Sequence, residues 1–131
     1  MTAVLPSHDI EYLNIKAPGH QITAEGGVIC VLVPSYPLPK GFDQEASDLL
    51  LRLAPGYPDV PPDMWWFDPP VRRTDGVVIQ ATEAREGHLG RQWQRWSRHF
   101  QPGQWRSGID SLQSYFALIR NELLKAAPGG S

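Results

Sequence analysis

Apolar residues are bunched in three runs near the middle of the chain and spaced out at its end. The first run, Val28–Val33 (VICVLV), is almost continuously apolar, as a strand buried on both faces would be. Asp48–Leu53 and Met64–Phe67 are the second and third. A β-prone segment, His20–Glu25, precedes the first run, and Gly26-Gly27 between them is a hairpin signal. From Ile109 to Ala126 the pattern changes. Ile109, Leu112, Phe116, Ile119 and Leu123 recur at three- and four-residue steps, which predicts an amphipathic helix. Ser107 precedes it as a cap, Asp110 suits its first turn, and Pro128-Gly129 stops it. A second, shorter helix is expected over residues 7–17. Ser7 can cap it, Asp9 and Glu11 suit its first turn, and Pro18-Gly19 ends it. The pattern predicts an α+β chain: an N-terminal helix, a four-stranded antiparallel meander and a C-terminal helix.

Between the last two runs lies Pro55, Gly56, Tyr57, Pro58, Pro61 and Pro62. Proline lacks a backbone N–H and cannot sit inside a central ladder, so this is a stiff loop between strands. The stretch from Asp68 to Gly87 is less regular. Asp75-Gly76 marks a tight turn, with Val77–Gln80 expected as a short strand after it. Residues 87–107 interleave Arg91, Arg95, Arg98 and Arg106 with Trp93, Trp96 and Trp105. They read as a long loop that the tryptophans anchor to the core, with arginine stems covering it.

Composition narrows the class. At 131 residues the chain is near the size of one domain, assigned to residues 1–127 with a flexible tail over 128–131. The net charge is −2, which argues against a nucleic-acid partner despite the Arg/Trp mixture. No apolar run reaches the length of a membrane span and no signal-peptide pattern opens the chain, so a cytoplasmic protein with no membrane partner is expected. The single Cys30 excludes a disulfide framework and a Cys-cluster zinc site. His88 and His99 lack the further ligands a metal requires, and neither a metal nor a cofactor is expected. Cys30 falls in the middle of the VICVLV run, where desolvation disfavours the thiolate, so it is read as a core filler.

The Tyr57-Pro58 pair, the Pro61-Pro62 pair and the aromatic strand Met64–Phe67 that follows resemble the ubiquitin-conjugating (E2) superfamily. Together with the order of elements over residues 7–125, the chain is similar to divergent bacterial E2-like proteins, the prokaryotic E2 family E type. The resemblance implies a single minimal E2-like domain, its C-terminal helix packed across the sheet. It implies a ubiquitin-like modifier and an E1-like adenylating enzyme as partners. In the superfamily a His-Pro-Asn motif precedes the nucleophile, and its Asn stabilises the oxyanion. No such motif occurs here, since the two asparagines, Asn14 and Asn121, lie in the expected helices.

The superfamily's nucleophilic Cys lies roughly eight residues before a Trp that precedes the C-terminal helix. Taking Trp105 as that Trp, the slot holds Ser97, flanked by Arg98 and His99. The distance from Tyr57 to Trp105 exceeds the superfamily's spacing, which implies an insertion within residues 71–90. On this reading Ser97 is the nucleophile and His99, two residues on and on the same face of an extended segment, is its base. Arg98, Arg95 or backbone N–H groups stabilise the oxyanion. The product is a Ser-linked oxyester in place of a thioester. The alternative is a non-catalytic E2 variant, a docking module for the modifier or its activating enzyme. Tyr57 is expected to pack beneath the active-site segment as a brace.

Overall fold

A computed structural model describes residues 5–129. Two helices and six strands follow one another in the order α1 (Ser7–Lys16), β1 (Gln21–Glu25), β2 (Val28–Pro37), β3 (Ala46–Leu53), β4 (Trp65–Asp68), β5 (Arg85–His88), β6 (Arg91–Trp96) and α2 (Leu112–Ala126). The strands form one sheet in the order β1-β2-β3-β4-β6-β5, antiparallel throughout. The α+β class and the first four strands agree with the sequence pattern.

The four-stranded meander needs correction to six strands. The segment read as a long loop contains the β5–β6 hairpin, in which Arg85 faces Gln94 and His88 faces Arg91. Its turn is Leu89-Gly90, both at positive φ (+53° and +75°), as the primed two-residue turns require. Leucine is a poor residue for that conformation, which hid the hairpin from a search for Asn-Gly or Gly-Gly. The expected strand Val77–Gln80 is instead irregular. The Asp75 carboxylate accepts the Val77 N–H and holds the Arg73 guanidinium, and Val77 and Val78 are left exposed.

Helix α2 begins three residues later than the apolar stripe implied. Ile109 is 66% exposed and lies outside the helix. Ser111 is the N-cap residue, and its N–H donates to Ser114 Oγ at 3.0 Å. Ser107, the expected cap, instead hydrogen-bonds Asp59. Likewise Pro6, not Ser7, occupies the N-cap position of α1. Of the expected tail, Pro128 packs on Gly41, whose φ of +104° and lack of a side chain allow the approach. Residues 130 and 131 lie outside the described residues.

Strand alternation divides the core between the two faces of the sheet. Ile29, Val31, Val33, Leu49, Leu51, Leu53, Trp65, Phe67 and Trp96 face the helices, where they meet Leu13 of α1 and Tyr115, Phe116, Ile119 and Leu123 of α2. The opposite face buries a smaller cluster of Cys30, Leu50, Trp66 and Trp93 without a helix over it. The sheet curls around this face. Glu25, ending β1 at one edge, accepts the N–H of Leu89 at the tip of the other edge's hairpin at 2.9 Å. Arg91 caps the same face, its guanidinium 4.4 Å from the Trp93 ring and paired with Asp48 and Asp68.

Candidate active site

Trp96 ends β6 and is fully buried, its ring stacked on Trp65 and edge-on to Phe67. Its indole N–H donates to Gln94 Oε1, a buried amide that also accepts the Val71 N–H and donates to the Val71 carbonyl. This fixes the strand's end. The chain then leaves the sheet held at two backbone points: the Ser97 N–H donates to the Ala81 carbonyl, and the Arg98 carbonyl accepts the Met64 N–H. Ser97, Arg98 and His99 therefore sit on an anchored segment between the 80s loop and the start of β4.

Ser97 is half-buried, and its Oγ accepts the Arg95 Nε–H at 3.1 Å. Arg95 is held in turn by Glu86 at 2.6 Å. Desolvation opposes ionisation of Glu86, but hydrogen bonds from His88, Arg95 and Trp66 outweigh it and hold its carboxyl below the usual range. The guanidinium on Ser97 is thus that of Arg95. Arg98 points elsewhere: its Nε pairs with Glu122 of α2 at 3.0 Å, and its Nη1 donates to the Gln80 carbonyl. Its role in this geometry is to tie the segment to α2, over the Trp96 ring.

His99 is exposed, and its Nδ1 lies 2.6 Å from Asp63 Oδ1. A carboxylate accepts, so Nδ1 carries the proton and Nε2 is left as the basic nitrogen. No hydrogen bond joins His99 to Ser97 among the described residues. Asp63 was not foreseen from the sequence, being 36 residues from His99; its one signal was its place between Pro61-Pro62 and the aromatic strand.

From Phe100 onward aromatic side chains interlock. Trp105 packs against Tyr57, Phe100 and Tyr115, and its Nε1–H donates to the Pro58 carbonyl at 2.8 Å. The Tyr57 ring is half-buried against Trp105, which packs in turn on Phe100, the residue after His99. Its hydroxyl has a partner the sequence did not reveal, the fully buried Asp9 of α1. Cys30 lies on the concave face of the sheet, 1% exposed, with its thiol pushed up by burial. Among the described residues no cluster of three or more His, Cys, Asp or Glu is arranged to hold a metal ion.

The family model for prokaryotic E2 family E matches residues 5–126. The chain belongs to that family. Neither a curated protein nor a solved structure matches it significantly. Membership gives this prokaryotic family E protein an E2-like role in a conjugation pathway. No helix among the described residues is long and apolar enough to cross a membrane.

Proposed function

We propose that this family E protein carries a ubiquitin-like modifier as an oxyester on Ser97, receiving it from an E1-like adenylating enzyme. The observation that carries this reading is the His99–Asp63 pair: a carboxylate holds an imidazole with Nε2 free, two residues from the serine in the nucleophile slot. A serine hydroxyl is a poor nucleophile until a base takes its proton, and an Asp-oriented imidazole supplies one. In the transfer, Ser97 Oγ bonds to the modifier's terminal acyl carbon. The bond from that carbon to its activating group breaks, and the hydroxyl proton passes through His99 Nε2 to the leaving group. Attack by an amine on the ester then releases Ser97. Rotation of the two side chains toward each other completes the pair, as catalytic hydrogen bonds often tighten only when substrate is bound. Arg95, already on Ser97 Oγ, is the nearer cation for the developing oxyanion, and Arg98 holds the segment in place.

Incubation with the partner activating enzyme, ATP and modifier tests the proposal. A covalent adduct should form that survives thiol reductant and is cleaved by hydroxylamine. Ser97→Ala should abolish it, and Cys30→Ala should leave it intact. Loss of the adduct in Cys30→Ala with retention in Ser97→Ala would overturn the assignment.

A second reading, a non-catalytic E2 variant that docks the modifier or its activating enzyme, is favoured by one observation. The Ser97 hydroxyl is hydrogen-bonded to a guanidinium instead of a base. It predicts binding of those partners with no adduct under any condition.

A further inference from the structure

A cleft of about 500 Å³ opens between the C-terminal end of α1, the far end of β2 and α2, and none of Ser97, Arg98 or His99 lines it. It owes its shape to an irregularity in the sheet. The β2–β3 register shifts between Val33 and Tyr36, so Pro34 and Ser35 bulge from the ladder. Ser35 has a φ of +52°, a strained conformation for a residue with a side chain, held by its N–H donating to Asp48 Oδ1 at 2.9 Å. Pro34 and Ser35, the two bulged residues, both line the cleft.

The walls are aromatic. Phe116 of α2 lies between Tyr12 of α1 and Tyr36 of β2, with ring centroids 5.7 and 6.1 Å apart. Lys16, His20 and Arg120 also line the cleft, and no carboxylate does. Among the described residues none of the three basic side chains is in a salt bridge, although most of the other arginines are paired. His20 is fixed: its Nδ1 lies 2.7 Å from the Ala17 carbonyl, which can only accept, so Nδ1 donates, and among the described residues Nε2 has no hydrogen-bond partner.

We infer that this cleft binds a small organic anion with a flat apolar body, an aryl carboxylate or aryl phosphate. Its ring lies against Tyr12, Tyr36 and Phe116, and its charge is met by Lys16 and Arg120. The volume is that of a small-molecule site, and a mostly apolar wall with a few convergent polar groups is how such sites are built. Unpaired cations with no competing acid select the charge.

Titration with 2-naphthoate, 1-naphthyl phosphate and the uncharged 2-naphthamide, followed by amide chemical shifts, tests this. The anions should bind in the sub-millimolar range, roughly tenfold or more tighter than the amide, with shifts confined to residues 12–20, 33–37 and 113–120. The tighter of the two anions identifies the head group. The Lys16→Ala/Arg120→Ala pair should remove most of the preference over the amide. Ala117→Trp, at an exposed helical position lining the cleft, should fill it and abolish binding while the protein stays folded. Equal affinity for the amide, shifts elsewhere, no binding at millimolar concentration, or unchanged binding by a folded Ala117→Trp protein would each overturn the inference. Adduct formation at Ser97 is a separate readout.

Discussion

The Tyr57 hydroxyl donates to Oδ2 of Asp9 across 2.7 Å, joining the proline-rich loop to α1. The other oxygen of the same buried carboxylate accepts the N–H of Leu112, the first residue of α2, at 3.0 Å. One side chain thus fixes three segments, and it meets an orphan donor at a helix N-terminus, where negative charge is favoured. The Tyr57 ring packs on Trp105, which packs on Phe100, so the same carboxylate is linked through these rings to the residue that follows His99.

A hydrogen bond to a charged group contributes about 1.5–3 kcal/mol, so Asp9→Ala should cost at least that by leaving two donors unpaired. Tyr57→Phe removes one of the two bonds and should cost less, about 1–3 kcal/mol. Tyr57→Ala removes the half-buried ring as well and should lose about 3 kcal/mol or more. Chemical denaturation measures each. Wild-type stability in Tyr57→Phe would show that the bond contributes nothing. A stable but inactive Tyr57→Ala protein would give the loop a direct part in the chemistry.

All four tyrosines, Tyr12, Tyr36, Tyr57 and Tyr115, have hydroxyls pushed above their ordinary value, and desolvation is the first cause in each. For Tyr57 the negative Asp9 adds to it. A folded value above the unfolded one means stability is fully present below the unfolded value, about 10, and declines as pH rises beyond it. Tyrosinate absorbance near 295 nm should therefore stay low past pH 10 and then rise together with loss of native circular dichroism. Ionisation of a tyrosine well before unfolding would identify a hydroxyl that is not held as described.

The bond from the Leu89 N–H to Glu25 joins the two edges of the sheet. Glu25 also meets Arg52 at 3.5 Å and lies 3.8 Å from His88. Glu25→Ala should relax the curl locally. The Leu89 amide should exchange with deuterium faster, and Trp93, whose indole N–H donates to the His88 carbonyl, should become more accessible to a fluorescence quencher. The helix-facing core should keep its protection, because Glu25 does not touch it. Unchanged exchange at Leu89 would mean that the curl is set by strand twist alone.

These relationships mark what the sequence could convey. Strands β2 to β4 and the body of α2 were legible because their apolar runs are local, β1 through the Gly26-Gly27 hairpin signal, and the Tyr-Pro/Pro-Pro loop because proline chemistry is local too. The β5–β6 hairpin was not. Its strands alternate Arg, Glu, Gln and Trp, and its turn relies on a leucine in the left-handed region. The start of α2 was misjudged because Ile109 continues the helical spacing although it is exposed. Ser97, Arg98 and His99 were singled out by position alone. Their partners Glu122, Asp63 and Arg95, and the Asp9–Tyr57 link, depend on contacts that no local pattern encodes.

The pairing of His99 with Asp63 yields a kinetic prediction for the proposed transfer. If His99 is the base, His99→Ala should slow oxyester formation by roughly two to four orders of magnitude. Asp63→Ala should slow it in the same direction, since the carboxylate acts only by orienting the imidazole and supporting its positive charge. The double variant should be no slower than His99→Ala alone, because residues that act as a unit are not additive. Ser97→Cys should restore an adduct, now sensitive to reductant, and should depend much less on His99, because a thiolate needs less help from a base. A purely structural part for the pair would give a different result: both single variants would lower thermal stability, and the Ser97→Cys adduct would suffer as much as the oxyester. Single-turnover rates for these variants, with melting temperatures measured alongside, separate the two. Independent, multiplying losses in the double variant would remove Asp63 from the mechanism, and a His99→Ala protein that forms the oxyester at the wild-type rate would remove the base itself.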